Sequence, residues 1–538
     1  MKQLLFLILV SAFLISSCKE NKGTNNPAIS EESMRRHIST LASDEFQGRK
    51  PFTVGEEKTL AYLQSEIQKI GLKPGNGDSY FQDVPLVEIT GQPSAVMELE
   101  GTNKMSLQLG SQFIAYTQRP EKSIQIEGSD LVFCGYGIVA AEYNWNDYAG
   151  IDMKGKTALV LVNDPGLGSD DSTFFKGNTM TYHGRWTYKY EEAARQGAAA
   201  VMIIHEATMA GYPWPVVQSM GHGGKLNLEK LSYTPCEMQG WISLDASKEI
   251  FKTAGLDLQQ AMQAAKRPGF KAMPLPYKIK ASIENEIRHS LSKNVLAILP
   301  GTERPDEVII FSAHWDHLGV GAQVDGDSIY NGAVDNASGT AALLSIAEAL
   351  SKSDSNKRTV AFLWVTAEEQ GLLGSAYYAE HPVFSPDKTV ANLNIDGMPA
   401  AGPMKDLSII GYGQSELESY AQRWAEKQGR YILPDQEPEK GYFFRSDHFN
   451  FAKIGIPALY AKGSADHFEK GKDHAKSQSD DYRNTRYHQP SDEYDDSFDV
   501  GGMVQDAELY LNVVKELANS DDWPKWKAGS EFKALREK

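Results

Sequence analysis

The apolar positions of ESMRRHISTLAS and of GEEKTLAYLQSEIQKIGL recur at helical spacing, and the second run stops at Gly-Leu-Lys-Pro. Two helices are therefore expected to open the folded part, joined by the turn-rich link ASDEFQGRKPF. Residues 80 to 115 then alternate in the manner of strands. From about residue 116 the pattern shifts to short apolar strands, IEGSDLVFCGYGI, KGKTALVLVNDP and AAAVMII, with YKYEEAARQG reading as a helix. This predicts a small α/β unit of its own, in which His183, His205 and His222 are scattered without ligand spacing.

Beyond about residue 275 the signals alternate in a regular series. NVLAILPG, EVIIFSAHWD, TVAFLWVTAEE, TVANLNIDGM and LSIIGYG are apolar and rich in β-branched residues, whereas SGTAALLSIAEALSK, LLGSAYYAEH and SELESYAQRWAEKQG have helical periodicity. Strands alternating with helices predict an α/β fold, with a mixed central sheet flanked by helices on both faces. In such sheets, sites form outside the carboxyl ends of the strands.

Length and charge narrow the function. A chain of 538 residues predicts two or three units, and 41% apolar with 23% charged residues is ordinary for a globular protein. A net charge of −17 excludes a broad nucleic-acid surface, which needs a basic footprint. The leader MKQLLFLILVSAFLISSC has a lysine, an apolar run and small residues before Cys18. The run from Leu4 to Ile15 is shorter than the roughly 20 residues that span a bilayer. The leader reads as an export signal, residues 1–18, and its ending ISSC resembles a bacterial lipobox. That implies cleavage before Cys18, a lipid on that cysteine and anchorage to the cell envelope, with residues 19–30 as a flexible tether. Cys134 and Cys236 are compatible with one disulfide or with two buried thiols.

The chemistry lies at the strand ends. His314 and Asp316 follow the first strand in FSAHWDHLG; Asp335 sits in GAVDNASG before a helix; Glu368 and Glu369 end the next strand in TAEEQG; Asp396 ends another in NIDGM. His488 lies in YHQPSDEYD before the last helix. Individually these read as helix caps or solvated charges. Gathered at successive strand ends they would repel one another and lose hydration unless a cation held them. Imidazole and carboxylate without cysteine suit zinc or another divalent metal in a hydrolytic site.

These residues resemble the zinc peptidases of the M28 type, with two co-catalytic metals. The matching motifs are H-x-D at His314 to Asp316, D-N-A-S-G at Asp335, E-E at Glu368 and Glu369, D-G at Asp396 and Y-H-x-P-x-D at Tyr487 to Asp492. The resemblance implies a zinc-exopeptidase-like catalytic domain over residues 31–115 and 273–525, with a protease-associated domain inserted over 116–272. It implies two zinc ions bridged by Asp335, with His314 and Asp396 completing one site and Glu369 and His488 the other. Asp316 would accept a hydrogen bond from the far nitrogen of His314, and Glu368 would act as general base. His317 is expected to be a packing or a rim residue, and Ser446, Asp447 and His448 either to shape the site or to cap a helix. The polar stretch with His467 and His474 is expected to be a solvated loop at the mouth.

The activity so implied is an aminopeptidase acting on peptide substrates. A carboxypeptidase or a cyclase of N-terminal glutamine on the same fold is the alternative, and a non-catalytic receptor-like protein is a third reading. SLSK at 290–293 fits a serine-hydrolase motif, but it precedes a strand and has no partner motif.

Overall fold

The computed structural model describes residues 29–221 and 223–537. The expected export signal, Cys18, most of the tether and His222 lie outside the described residues. The last two tether residues belong instead to the folded body. Ile29 is buried in the main core, and the Ser30 hydroxyl accepts the Ser33 amide as the cap of α1 (Glu31–Leu41).

A second helix, α2 (Val54–Ile70), is capped by Thr53 and ends at Gly71, whose φ of 87° suits glycine. Helix α1 buries His37 along with Met34, Ile38 and Leu41. The Arg36 guanidinium can only donate, so His37 Nε2, 3.0 Å away, accepts, and Nδ1–H donates to the Tyr62 hydroxyl at 2.7 Å. Burial first, and the Arg36 charge second, push this imidazole down from 6.5 to about 4. The unfolded chain therefore binds the proton more readily, and stability is whole above pH 6.5 and lost as pH falls towards 4. The loss expected from this one group is about 3 kcal/mol. A denaturant series across that range should show it, with a flatter pH dependence in His37→Gln; an unchanged slope would contradict it.

The main sheet contains β1 (Phe81–Pro93), β2 (Met273–Leu299), β3 (Arg304–His314), β4 (Arg358–Val365), β5 (Thr389–Asn394), β6 (Asp406–Ile409), β7 (Tyr431–Pro434) and β8 (Ala458–Lys462). Its order is β1-β2-β4-β3-β5-β8-β6-β7, with β4, β3, β5 and β8 mutually parallel and β1, β2 and β6 antiparallel to their neighbours β2, β4 and β8. The sheet is mixed, as the pattern predicts. Side chains alternate across it: Ile309, Phe311, Phe362 and Trp364 enter a core with α1, α2, α3 (Gly339–Ser351) and α4 (Gly501–Asn519). Val308, Ile310, Ala361 and Leu363 face the other way, against Tyr378, Phe451 and Ile456.

A second hydrophobic core covers the stretch expected to be an inserted unit, and its members reach beyond 116–272. Met97, Leu99, Leu107 and Phe113 belong to it, as do Leu275, Tyr277, Ile279, Ala281 and Ile283. The reason is β2, a single strand of 27 residues. Its first part pairs with the strand Ser123–Phe133 of the insertion, its middle with β1, and its end with β4. The sequence pattern marked only its apolar end, NVLAILPG; the alternating stretch before it is the same strand. The strands Thr157–Leu161, Ala200–His205 and Met238–Ser243 run parallel within the insertion. Cys134 and Cys236 are two free buried thiols. The chain after residue 525 is also structural, since Trp526 and Phe532 are buried with Met180, Phe443, Phe444 and Phe449.

Candidate active site

Strand β3 delivers His314 at its carboxyl end, where the ring is buried. Its Nδ1 lies 3.1 Å from the backbone carbonyl of Asp316, so the proton sits there and Nε2 is left to face the site. The Asp316 carboxylate does not take that role: Oδ1 is 3.8 Å from Nδ1 and instead accepts the Glu368 amide at 3.0 Å. The same residue thus orients the ring through its main chain and holds the turn after β4 through its side chain. Burial pushes the Asp316 carboxyl up to about 8.

Nε2 of His314 faces Asp335 Oδ1 at 3.2 Å, Asp396 Oδ1 at 3.3 Å and Glu368 Oε2 at 4.0 Å. The other oxygen of Asp335 lies 3.2 Å from His488 Nε2, which is also 3.1 Å from Glu369 Oε2. Asp335 therefore stands between two imidazoles, one on each oxygen. It precedes α3 in a turn whose main chain is held by Asp492, which accepts the amides of Val334 and Asp335. Glu368 and Glu369 are turned into the site by Ala367, whose φ is 52°. The structure thus brings together His314, Asp335, Glu368, Glu369, Asp396 and His488.

Two groupings have ligand atoms mutually within 4.8 Å: His314, Asp335 and Glu369, and His314, Glu368 and Asp396. The second admits Glu368 as a possible ligand as well as a base. Electrostatics favour a cation here. Burial would raise Asp335, but His314 and His488 hold it well below the usual carboxylate range. Burial would lower His488, yet Glu369 and Asp335 push it up to about 10. Glu368 is raised well above its usual range, by burial first and then by Asp396 and Glu369. Carboxylates crowded round inward-facing nitrogens are a donor set that fits divalent zinc.

Several supporting residues escaped the sequence pattern. His317, expected as a packing or rim residue, is buried, and beyond packing its Nδ1–H donates to Glu369 Oε1 at 2.6 Å. A side chain at Gly332 would collide with its ring, since a Cβ there would lie 2.5 Å from His317 Cδ2. Ser446 donates to Asp396 Oδ2 at 2.5 Å and so belongs to the site, whereas Asp447 accepts from Ser375 and His448 is buried with neither ring nitrogen bonded. The stretch with His467 and His474 is not a loop throughout; Gly471–Asp481 is a helix with only Ala475 buried, which explains its lack of an apolar stripe.

Arg49, from the turn-rich link, is buried and donates to the carbonyls of Leu41, Trp315, Asn331 and Gly332. It ties the chain after β3 to the turn carrying Asp335. Arg49→Met should leave those carbonyls unsatisfied and lower the unfolding free energy by about 3–5 kcal/mol. Chemical denaturation measures it, and a loss below about 1 kcal/mol would refute the clamp.

Residues 294–514 match the model of Peptidase family M28. This matched segment contains all six site residues that the structure gathers. Among curated relatives, the Aminopeptidase NAALADL1 of Mus musculus is 33% identical over 138 residues, covering 24% of this chain and 17% of that protein. The Leucine aminopeptidase 2 of Trichophyton equinum is 28% identical over 225 residues, covering 39% and 41%. The chain thus spans less than half the length of either relative. Among solved structures, an aminopeptidase from Aneurinibacillus sp. strain AM-1 is 20% identical with a TM-score of 0.48, covering 93% of this chain and 97% of that one.

Proposed function

We propose that this protein is an exported, lipid-anchored, zinc-dependent aminopeptidase that removes residues from the N-termini of peptides. The observation that carries the reading is Asp335, with one oxygen on His314 and the other on His488 within the M28 segment. His314 and Asp396 on one side, and Glu369 and His488 on the other, would hold two zinc ions with Asp335 between them. Bound zinc would polarise the scissile carbonyl and make water more acidic.

The protein's own residues do the rest. Glu368 takes a proton from the attacking water and returns it to the leaving amine. Its high proton affinity suits a group that must hold that proton between the two steps. Asp316 fixes the Glu368 main chain, His317 fixes Glu369, and Ser446 fixes Asp396. Export and anchorage rest on the leader and Cys18.

Purified zinc-loaded protein should cleave aminoacyl anilides and free-amine peptides but leave N-acetylated peptides intact. Cleavage of N-blocked peptides from the carboxyl end would make it a carboxypeptidase. Release of pyroglutamate from N-terminal glutamine would make it a cyclase.

A further inference from the structure

Asp396 reaches the site from an irregular segment. Strand β5 ends at Asn394, and no helix or strand follows until β6 begins at Asp406. Neither helical nor ladder hydrogen bonds therefore hold the main chain at Asp396 and Gly397, and neighbouring side chains must do so. The turn that carries Asp335 supplies one set. Asn336 donates through Nδ2 to the Ile395 carbonyl at 3.2 Å and accepts the Gly397 amide on Oδ1 at 3.1 Å, while the Ser338 hydroxyl accepts the Met398 amide at 3.0 Å. The carbonyl side is held from β8, which runs parallel to β5 with Asn394 opposite Tyr460. Two residues further along each strand, that register brings Lys462 level with Asp396.

Lys462 Nζ donates to the Asp396 carbonyl at 3.1 Å, to the Gly397 carbonyl at 2.9 Å and to the Tyr460 hydroxyl at 2.8 Å. That hydroxyl donates in turn to the Asp396 carbonyl at 2.9 Å, so one oxygen receives two donors from β8. An ammonium has three N–H groups, and all three of these end on uncharged oxygens of the protein itself. None is left to recognise a substrate anion, and the three bonds instead tie two successive carbonyls to the end of a strand. The Asp396 carboxylate is held separately. Ser446 donates to Oδ2, which leaves Oδ1 facing His314 Nε2 at 3.3 Å. A carboxylate whose main chain is clamped on one side and whose second oxygen is engaged on the other has one orientation left for its free oxygen.

We propose that Lys462, acting with Tyr460, is a positioning residue for the metal site of His314 and Asp396, and that it holds the Asp396 main chain so that Oδ1 stays turned towards His314. The inference rests on the two-zinc reading above and adds that the two sites are supported separately. Glu369, on the other side of Asp335, is fixed by His317 and not by this clamp. Removing the clamp should loosen one ion and spare the other.

The test withdraws zinc from the loaded full chain with a chromophoric chelator and follows cobalt(II) substitution by its visible absorption, in the unaltered protein, Lys462→Met and Tyr460→Phe. Asp396→Asn and His488→Gln serve as references for damage to either site. Lys462→Met should hold one ion as the unaltered protein does and the other about tenfold to a hundredfold more weakly. Its release curve should follow that of Asp396→Asn and not that of His488→Gln. Tyr460→Phe keeps the ring and removes one of the two donors on the Asp396 carbonyl, so it should weaken the same ion by less. The double variant should add little to Lys462→Met, because both groups act on one carbonyl. Ions held unchanged in both single variants, or loosened alike, overturn the proposal. So does a raised KM with unchanged metal binding, which would make Lys462 a substrate contact. Thermal melting of each variant detects a folding defect; should Lys462→Met have one, Tyr460→Phe decides. An unaltered protein that binds fewer than two zinc ions would contradict the two-zinc reading itself, whereas two ions indifferent to both variants would sink only the clamp.

Discussion

Glu368→Gln is expected to bind zinc at the stoichiometry of the unaltered protein while kcat falls by about 10²–10⁴. The amide keeps the size and hydrogen-bonding reach of the carboxylate but cannot accept a proton into a stable form. The backbone there is held independently, because the Glu368 amide donates to Asp316 and not through the side chain. The ligand atoms of His314, Asp335 and Glu369 form a group without Glu368, so metal retention and loss of turnover should separate. Metal analysis beside steady-state kinetics reads both. Zinc lost in step with activity would make Glu368 a ligand, the role that the grouping of His314, Glu368 and Asp396 also allows.

Chelation should be equally severe and act on stability as well. Asp335, Glu368, Glu369 and Asp396 converge on two imidazoles within a largely buried cluster. Without a cation that negative charge is compensated by protons and by the imidazoles of His314, His317 and His488. Stripping the metal should bring hydrolysis of aminoacyl anilides to background and lower the midpoint of thermal unfolding, since a ligand bound only by the native state stabilises it. Zinc added back should restore both. A metal-free preparation with full activity would remove the basis of the mechanism. Activity lost with no change in melting would mean that the cluster does not need the ion to hold its shape.

The candidate site was legible to an unusual degree because its members sit where strands end. A strand end is marked by an apolar run, and an ionisable group immediately beyond it is conspicuous. That logic reached His314, Glu368, Glu369 and Asp396, while Asp335 and His488 were found in loops before helices. It did not reach Arg49, whose signal is one arginine among polar turn residues and whose partners are backbone carbonyls without sequence identity. It left His317 without a task because the adjacent Asp316 and His317 differ only in which neighbour each meets after folding.

The boundary of the insertion shows the same division. Alternation within KIKASIENEI is a local property and predicts a strand, but the core it joins depends on the partners across it. Only the tertiary structure made Met273–Leu299 one strand shared by two units.

The sequence by itself determined the helix and strand periods, the mixed α/β character and the ionisable set at the strand ends, because these follow from spacing along the chain. The tertiary structure decided which oxygen of Asp335 meets which imidazole, and that the main chain of Asp316 and not its carboxylate orients His314. Those are relations between residues up to 153 positions apart, His488 lying 153 after Asp335, and no local pattern encodes them.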